Sequence, residues 1–142
     1  MKVLHIGAKY GLSGAGLGLS ALHKELLDLG INSQVLVQKS MDVSTEIHVE
    51  GNRGGILSGL KRKMEATIVK GVKKKEAYIF SLGLVGSTFK EKVDMINPDI
   101  IHIHWPNAFT LSIDEISKIN RPIVWTLRDC WAFTGGCHYF GK

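Results

Sequence analysis

The sequence predicts an α/β fold, a mostly parallel sheet with helices on both faces. Three observations carry that expectation. Short apolar runs alternate with segments of helical periodicity along the whole chain. A glycine-rich stretch lies between the first run and the first helical segment. The last two runs each open just after a proline, Pro98 and Pro122, where a missing ladder donor does least harm. Strands that alternate with helices imply parallel pairing through right-handed crossovers.

Val3-Leu4-His5-Ile6 reads as the first buried strand, and Gly11, Gly14, Gly16 and Gly18 as the loop after it. Leu19, Leu22, Leu26 and Leu29 then recur at helical spacing, with His23, Lys24 and Asp28 on the other side and Gly30 as the closing residue. Gln34 to Gln38 is the second strand, and Ile47 to Val49 a further short one. Gly51 to Gly55 reads as a loop. Leu57, Leu60, Met64, Ile68 and Val72 form a helical apolar stripe whose end Gly71 weakens. Tyr78 to Gly86 reads as irregular, and Phe89, Val93 and Ile96 as a short helix. The strand Ile100 to Trp105, a short helix over Leu111 to Ile119 and the strand Ile123 to Leu127 complete the order.

A chain of 142 residues, 44% hydrophobic and 22% charged with three prolines, has the composition of one globular domain and not of a disordered or fibrous chain. It is long enough to bury a core without disulfides or metals. No apolar run has the length of a signal peptide or membrane span, so the expected compartment is the cytoplasm. Two cysteines, Cys130 and Cys137, are too few for a disulfide framework. Lys61, Arg62, Lys63, Lys70, Lys73, Lys74 and Lys75 stand against Glu65 alone, so this stretch by itself exceeds the net charge of +5 of the whole chain. It contains no aromatic residue, which argues against a nucleic-acid partner. It reads either as a solvated helix face or as a contact with anionic lipid at the inner face of a plasma membrane.

In open parallel sheets ligands bind beyond the carboxyl ends of the strands. Three segments are expected to converge there. The first is Gly11 to Gly18, where Gly14, Ala15, Gly16 and Gly18 would let a backbone approach a phosphate at a helix N-terminus. It is not a dinucleotide fingerprint: Leu19 stands where the third glycine belongs, and Gln38-Lys39 where the ribose-binding acid belongs. No Gly-Lys-Ser/Thr follows, which excludes a P-loop. The second, His102 to Asn107, holds His102 and His104, which share a sheet face; His102 reads as a satisfied core histidine, and His104 as either that or a substrate contact. The third, Thr126 to Tyr139, combines Arg128, Asp129, Thr134, Gly135, Gly136 and His138 with aromatic residues, a set suited to sugar rings. A zinc site from Cys130, Cys137 and His138 matches no usual ligand spacing, so no metal is expected.

Pro98-Asp99-Ile100-Ile101-His102-Ile103-His104-Trp105, Pro122-Ile123-Val124-Trp125-Thr126-Leu127-Arg128-Asp129 and Trp131-Ala132-Phe133-Thr134-Gly135-Gly136-Cys137-His138-Tyr139 resemble bacterial family 4 glycosyltransferases of the GT-B fold. Within that family the chain resembles the group acting in capsule, colanic-acid and other exopolysaccharide assembly. The resemblance implies two Rossmann-like domains with the active site between them, retention of anomeric configuration, and a nucleotide-sugar co-substrate with no further cofactor or metal. Residues 1–142 would be a truncated N-terminal, acceptor-side domain, inactive without the donor-binding domain. Gly14, Ala15, Gly16 and Gly18 would approach the donor diphosphate, and the segment from Arg128 would line the sugar and a saccharide or lipid-linked acceptor. The family's Thr-Leu-His-Asp sequence is Thr-Leu-Arg-Asp here, and an arginine stays charged and takes no proton near neutral pH. Two other readings are a non-catalytic nucleotide- or phosphate-binding module and a membrane-peripheral scaffold.

Overall fold

The computed structural model of the chain describes residues 1–50, 56–72, 79–87 and 89–139. Five strands form one all-parallel sheet: β1 (Lys2–Tyr10), β2 (Asn32–Ser40), β3 (Ile47–Val49), β4 (Ile100–His104) and β5 (Ile123–Thr126), in the order β3-β2-β1-β4-β5. Between them run α1 (Ser13–Asp28), α2 (Ile56–Val72), α3 (Lys90–Ile96) and α4 (Ile113–Ser117), and α5 (Trp131–Thr134) follows β5. This is an α/β Rossmann-like architecture, and β1 and β2 run longer than their apolar runs alone suggest.

Side-chain alternation sorts the two sheet faces. Leu4 and Ile6 of β1, Leu36 of β2, and Ile101 and Ile103 of β4 pack with Phe89, Val93 and Ile96 of the α3 region and with Ile116 of α4. Leu19 of α1 joins Tyr10, Val35 and Val37 on the opposite face. Helices therefore cover both faces. The inner strands β1, β2 and β4 are largely apolar on both sides because both sides are largely buried, whereas edge strand β5 leaves Ile123 and Val124 exposed. His5 interrupts the apolar run of β1, and His102 and His104 that of β4; all three lie on the α1 face, with His5 in register with His102. Ser112 and Glu115 close a reciprocal capping box that starts α4.

The glycine-rich segment is not a loop. Only Gly11 and Leu12 separate β1 from α1, and the chain turns there through left-handed conformations at Gly11 (φ 67°) and Ser13 (φ 65°). Gly14, Ala15, Gly16 and Gly18 lie in the first turns of the helix. A Cβ on Gly16 would stand 2.7 Å from the Lys9 carbonyl oxygen, so this glycine seats the helix against β1. A Cβ on Gly14 would meet nothing within 4 Å. Gly14→Ala is accordingly expected to raise stability by about 0.5–1 kcal/mol through helix propensity. Gly16→Ala is expected to lower it by about 1–3 kcal/mol through the clash. Urea denaturation of the two variants checks the pair; equal effects would show that close packing at Gly16 is not what the position requires.

An apolar stripe at helical spacing ordinarily faces a core, but α2 is turned the other way. Leu60, Met64 and Ile68 are 56%, 58% and 46% exposed, whereas Glu65 is 6% exposed. The expected loop at Gly51 to Gly55, Lys73 to Lys75 of the basic run and Tyr78 lie outside the described residues.

Candidate functional site

The carboxyl ends of β1, β4 and β5 meet at a cleft of about 250 Å³ lined by Lys9, Ser13, Ala15, Trp105, Arg128 and Tyr139, with Asp129 and His138 in its wall. A cavity of about 420 Å³ between α3 and α4 opens at the opposite edge, against Pro98 and Arg121, which precede β4 and β5. Position relative to the strands, and not size, selects the first as the candidate site.

Behind Arg128, beneath the cleft lining, lies a hydrogen-bonded chain of histidines. Arg128 Nη2 lies 3.3 Å from His104 Nδ1, and His104 Nε2 lies 3.1 Å from His5 Nδ1. A guanidinium only donates. His104 Nδ1 is therefore the acceptor, Nε2 carries the proton, and that proton goes to His5 Nδ1. His102 stacks on His104 with centroids 4.1 Å apart and bonds Thr126 Oγ1 through Nε2 at 2.7 Å. Burial, helped by neighbouring His102, pushes the pKa of both His5 and His104 down to about 3. Burial and then Arg128 lower that of His102. Near neutral pH the imidazoles are uncharged, and Arg128 is the fixed positive charge above them.

Ligand atoms of His5, His102 and His104 lie within 4.8 Å of one another, close enough to hold a metal ion. The donor directions do not suit one. His104 Nε2 and His5 Nδ1 already share a proton, and the Arg128 guanidinium would repel a cation placed beside them.

Arg128 also touches α1. A Cβ on Gly18 would stand 2.5 Å from Arg128 Nη2, so the missing side chain is what admits the guanidinium next to the first turns of that helix. Lys9, Arg128 and the positive end of the α1 dipole thus face one cleft, an arrangement suited to an anion.

Asp129 is the hub of the wall. Its Oδ2 accepts Trp105 Nε1–H at 2.6 Å and His138 Nδ1–H at 2.5 Å, and its Oδ1 accepts the Trp131 N–H at 3.0 Å. His138 Nε2 pairs with Ser81 Oγ at 3.0 Å. Both ring nitrogens of His138 are engaged within the protein, and the ring is 2% exposed. Thr134 Oγ1 donates to the Cys137 carbonyl. Gly136 accepts the Ser81 N–H and lies against the Phe80 ring, while Gly135 (φ 67°) supplies the left-handed turn. Thr134, Gly135, Gly136 and His138 therefore fasten residues 79–81 to the turn after α5. Arg128, with Ala15 of α1, faces the cleft directly; His104 stands behind Arg128, and Gly14 lies outside the cleft wall.

Sequence reasoning did not single out His5, Lys9 or Ser81, and it placed Trp105 at the site only as part of the stretch His102 to Asn107. His5 had a signal, since it is the polar residue inside an otherwise apolar buried run. Ser81 had none, because its partner lies 57 positions away. Comparison of the chain with known proteins finds no matching family model, no matching curated protein and no matching solved structure.

Proposed function

We propose that this chain is the acceptor-side domain of a retaining glycosyltransferase that moves a sugar from a nucleotide-sugar to a saccharide or lipid-linked acceptor in cell-surface polysaccharide synthesis. The observation that carries the reading is the position of Arg128, packed on Gly18 at the start of α1 and hydrogen-bonded to His104. In transfer, the bond from the sugar's anomeric carbon to the diphosphate breaks and the acceptor hydroxyl takes its place. Negative charge grows on the departing diphosphate. Arg128, Lys9 and the α1 N-terminus would stabilise that charge without a metal. Arg128 cannot take the acceptor's proton, so that step falls to another group, in the donor-binding domain or on the departing phosphate.

The purified chain is expected to transfer no sugar by itself from labelled UDP-, GDP- or ADP-sugars; transfer would remove the need for a second domain. A micromolar affinity for the nucleotide-sugars in calorimetry would favour a self-contained nucleotide-binding module instead. The cleft itself is tested by NMR titration with inorganic pyrophosphate. Arg128→Ala is expected to weaken binding by about tenfold or more, as loss of a charge-assisted hydrogen bond does, and Arg128→Lys by less. An unchanged affinity would show that the anion binds elsewhere.

The reversed orientation of α2 favours a second, compatible role at an anionic membrane surface. The exposed stripe Leu60, Met64 and Ile68 is flanked by exposed Lys61 on one side and Lys63 and Lys70 on the other, the pattern of an interfacial helix. None of the described helices is long and apolar enough to cross a membrane. The chain is expected to sediment with phosphatidylglycerol vesicles at low salt and not with phosphatidylcholine vesicles, and Met64→Gln with Ile68→Gln to abolish this. A chain that stays in solution with both vesicles, or that instead forms a dimer lost in the same variant, would refute the membrane role.

A further inference from the structure

A second cavity, of about 340 Å³, lies between α2 and the turn that follows β4. Its wall is largely apolar, with the Phe80 and Phe109 rings on it. Two buried polar side chains also line it, and neither is satisfied among the described residues. Glu65 accepts the Leu82 N–H at 3.2 Å through Oε1, while Oε2 has no partner. Asn107 is 4% exposed, and neither Oδ1 nor Nδ2 makes a hydrogen bond. Buried polar groups are ordinarily paired, so three unpaired atoms on one cavity wall call for a ligand that pairs them.

The chemistry of the wall narrows that ligand. The Glu65 carboxylate disfavours an anion. The Arg62 guanidinium, 5.5 Å from the centre of the Phe109 ring, and Lys70 at the rim disfavour a cation. A carboxylate oxygen accepts from a hydroxyl, and an amide both accepts and donates, so together they match neighbouring hydroxyls. Aromatic rings match the apolar face of a sugar. The volume suits one such ring with its substituents. We infer that this cavity binds an uncharged monosaccharide ring, with Glu65 and Asn107 holding adjacent hydroxyls. That this ring belongs to the acceptor rests on the transferase reading; the binding itself does not.

Saturation-transfer NMR of the 142-residue chain with methyl glycosides of glucose, galactose and mannose tests this. Transfer to at least one glycoside is expected, with the Asn107 side-chain amide signals moving as it saturates. Glu65→Gln and Asn107→Ala should each weaken that binding on the order of tenfold, the loss of one buried hydrogen bond, while Lys24→Ala, on the exposed side of α1, leaves it unchanged. No transfer to any of the three, or affinity unchanged in both cavity variants, would overturn the inference. If those variants do not fold, unmoved Asn107 signals in the wild-type chain at saturating glycoside would overturn it equally. Pyrophosphate titration reads the other cleft, so failure here and failure of the transferase reading are separate results.

Discussion

Asp129→Ala is expected to cost about 3 kcal/mol of stability, a large share of the roughly 5–15 kcal/mol that holds an ordinary domain together. The carboxylate accepts from Trp105, His138 and the Trp131 backbone. Its removal leaves three donors in a mostly buried wall, and hydrogen bonds to a charged group are worth about 1.5–3 kcal/mol each, though not additively. The three partners come from the turn after β4, the start of α5 and the segment paired with residues 79–81, so the loss is also a loss of cleft geometry. Trp105→Phe, which removes one donor and leaves two, should cost about 1 kcal/mol. Urea unfolding with unchanged slope measures both. A loss below 1 kcal/mol for Asp129→Ala would show that the three elements are held together by packing alone.

The fold was legible because the signals that specify it are local. Apolar runs, helical spacing and the prolines before β4 and β5 each act over a few residues, and the inner strands β1, β2 and β4, largely buried on both faces, leave no competing pattern for their runs. The convergence of Lys9, Ala15 and Arg128 at one sheet edge follows from that topology. The purposes of individual residues were less legible. Gly14, Gly16 and Gly18 look alike in sequence, yet one faces open space, one a backbone carbonyl and one the Arg128 guanidinium. Only the register of α1 on β1 distinguishes them. In α2 periodicity identifies the stripe but not the side on which it lies, and the chain buries the side that carries Glu65. Asp129 reads locally as half of an Arg–Asp pair, whereas its partners are two tryptophans and a histidine.

Acidification is expected to weaken the fold well before the carboxylates titrate. The unfolded chain binds a proton at His5 and at His104 near pH 6.5, whereas the folded chain resists until about pH 3. Between those values the unfolded state holds more protons, so stability falls as pH falls, and it is fully present above pH 6.5. At pH 5.5, one unit below the ordinary value, each histidine has lost about 1.4 kcal/mol, about 3 kcal/mol together. Burial also lowers the pKa of His23, His48 and His102, which adds in the same direction. Urea unfolding at pH 7.5 and 5.5 measures the difference. His5→Asn keeps an acceptor for His104 Nε2–H but cannot titrate, so it should remove close to half of the His5–His104 share. The same substitution should leave Arg128 in place, because the proton on His104 Nε2 still has somewhere to go. If the pH dependence is instead unchanged in His5→Asn, the relay beneath Arg128 is not what excludes protons from the core. The guanidinium would then stand over the histidines by packing on Gly18 alone.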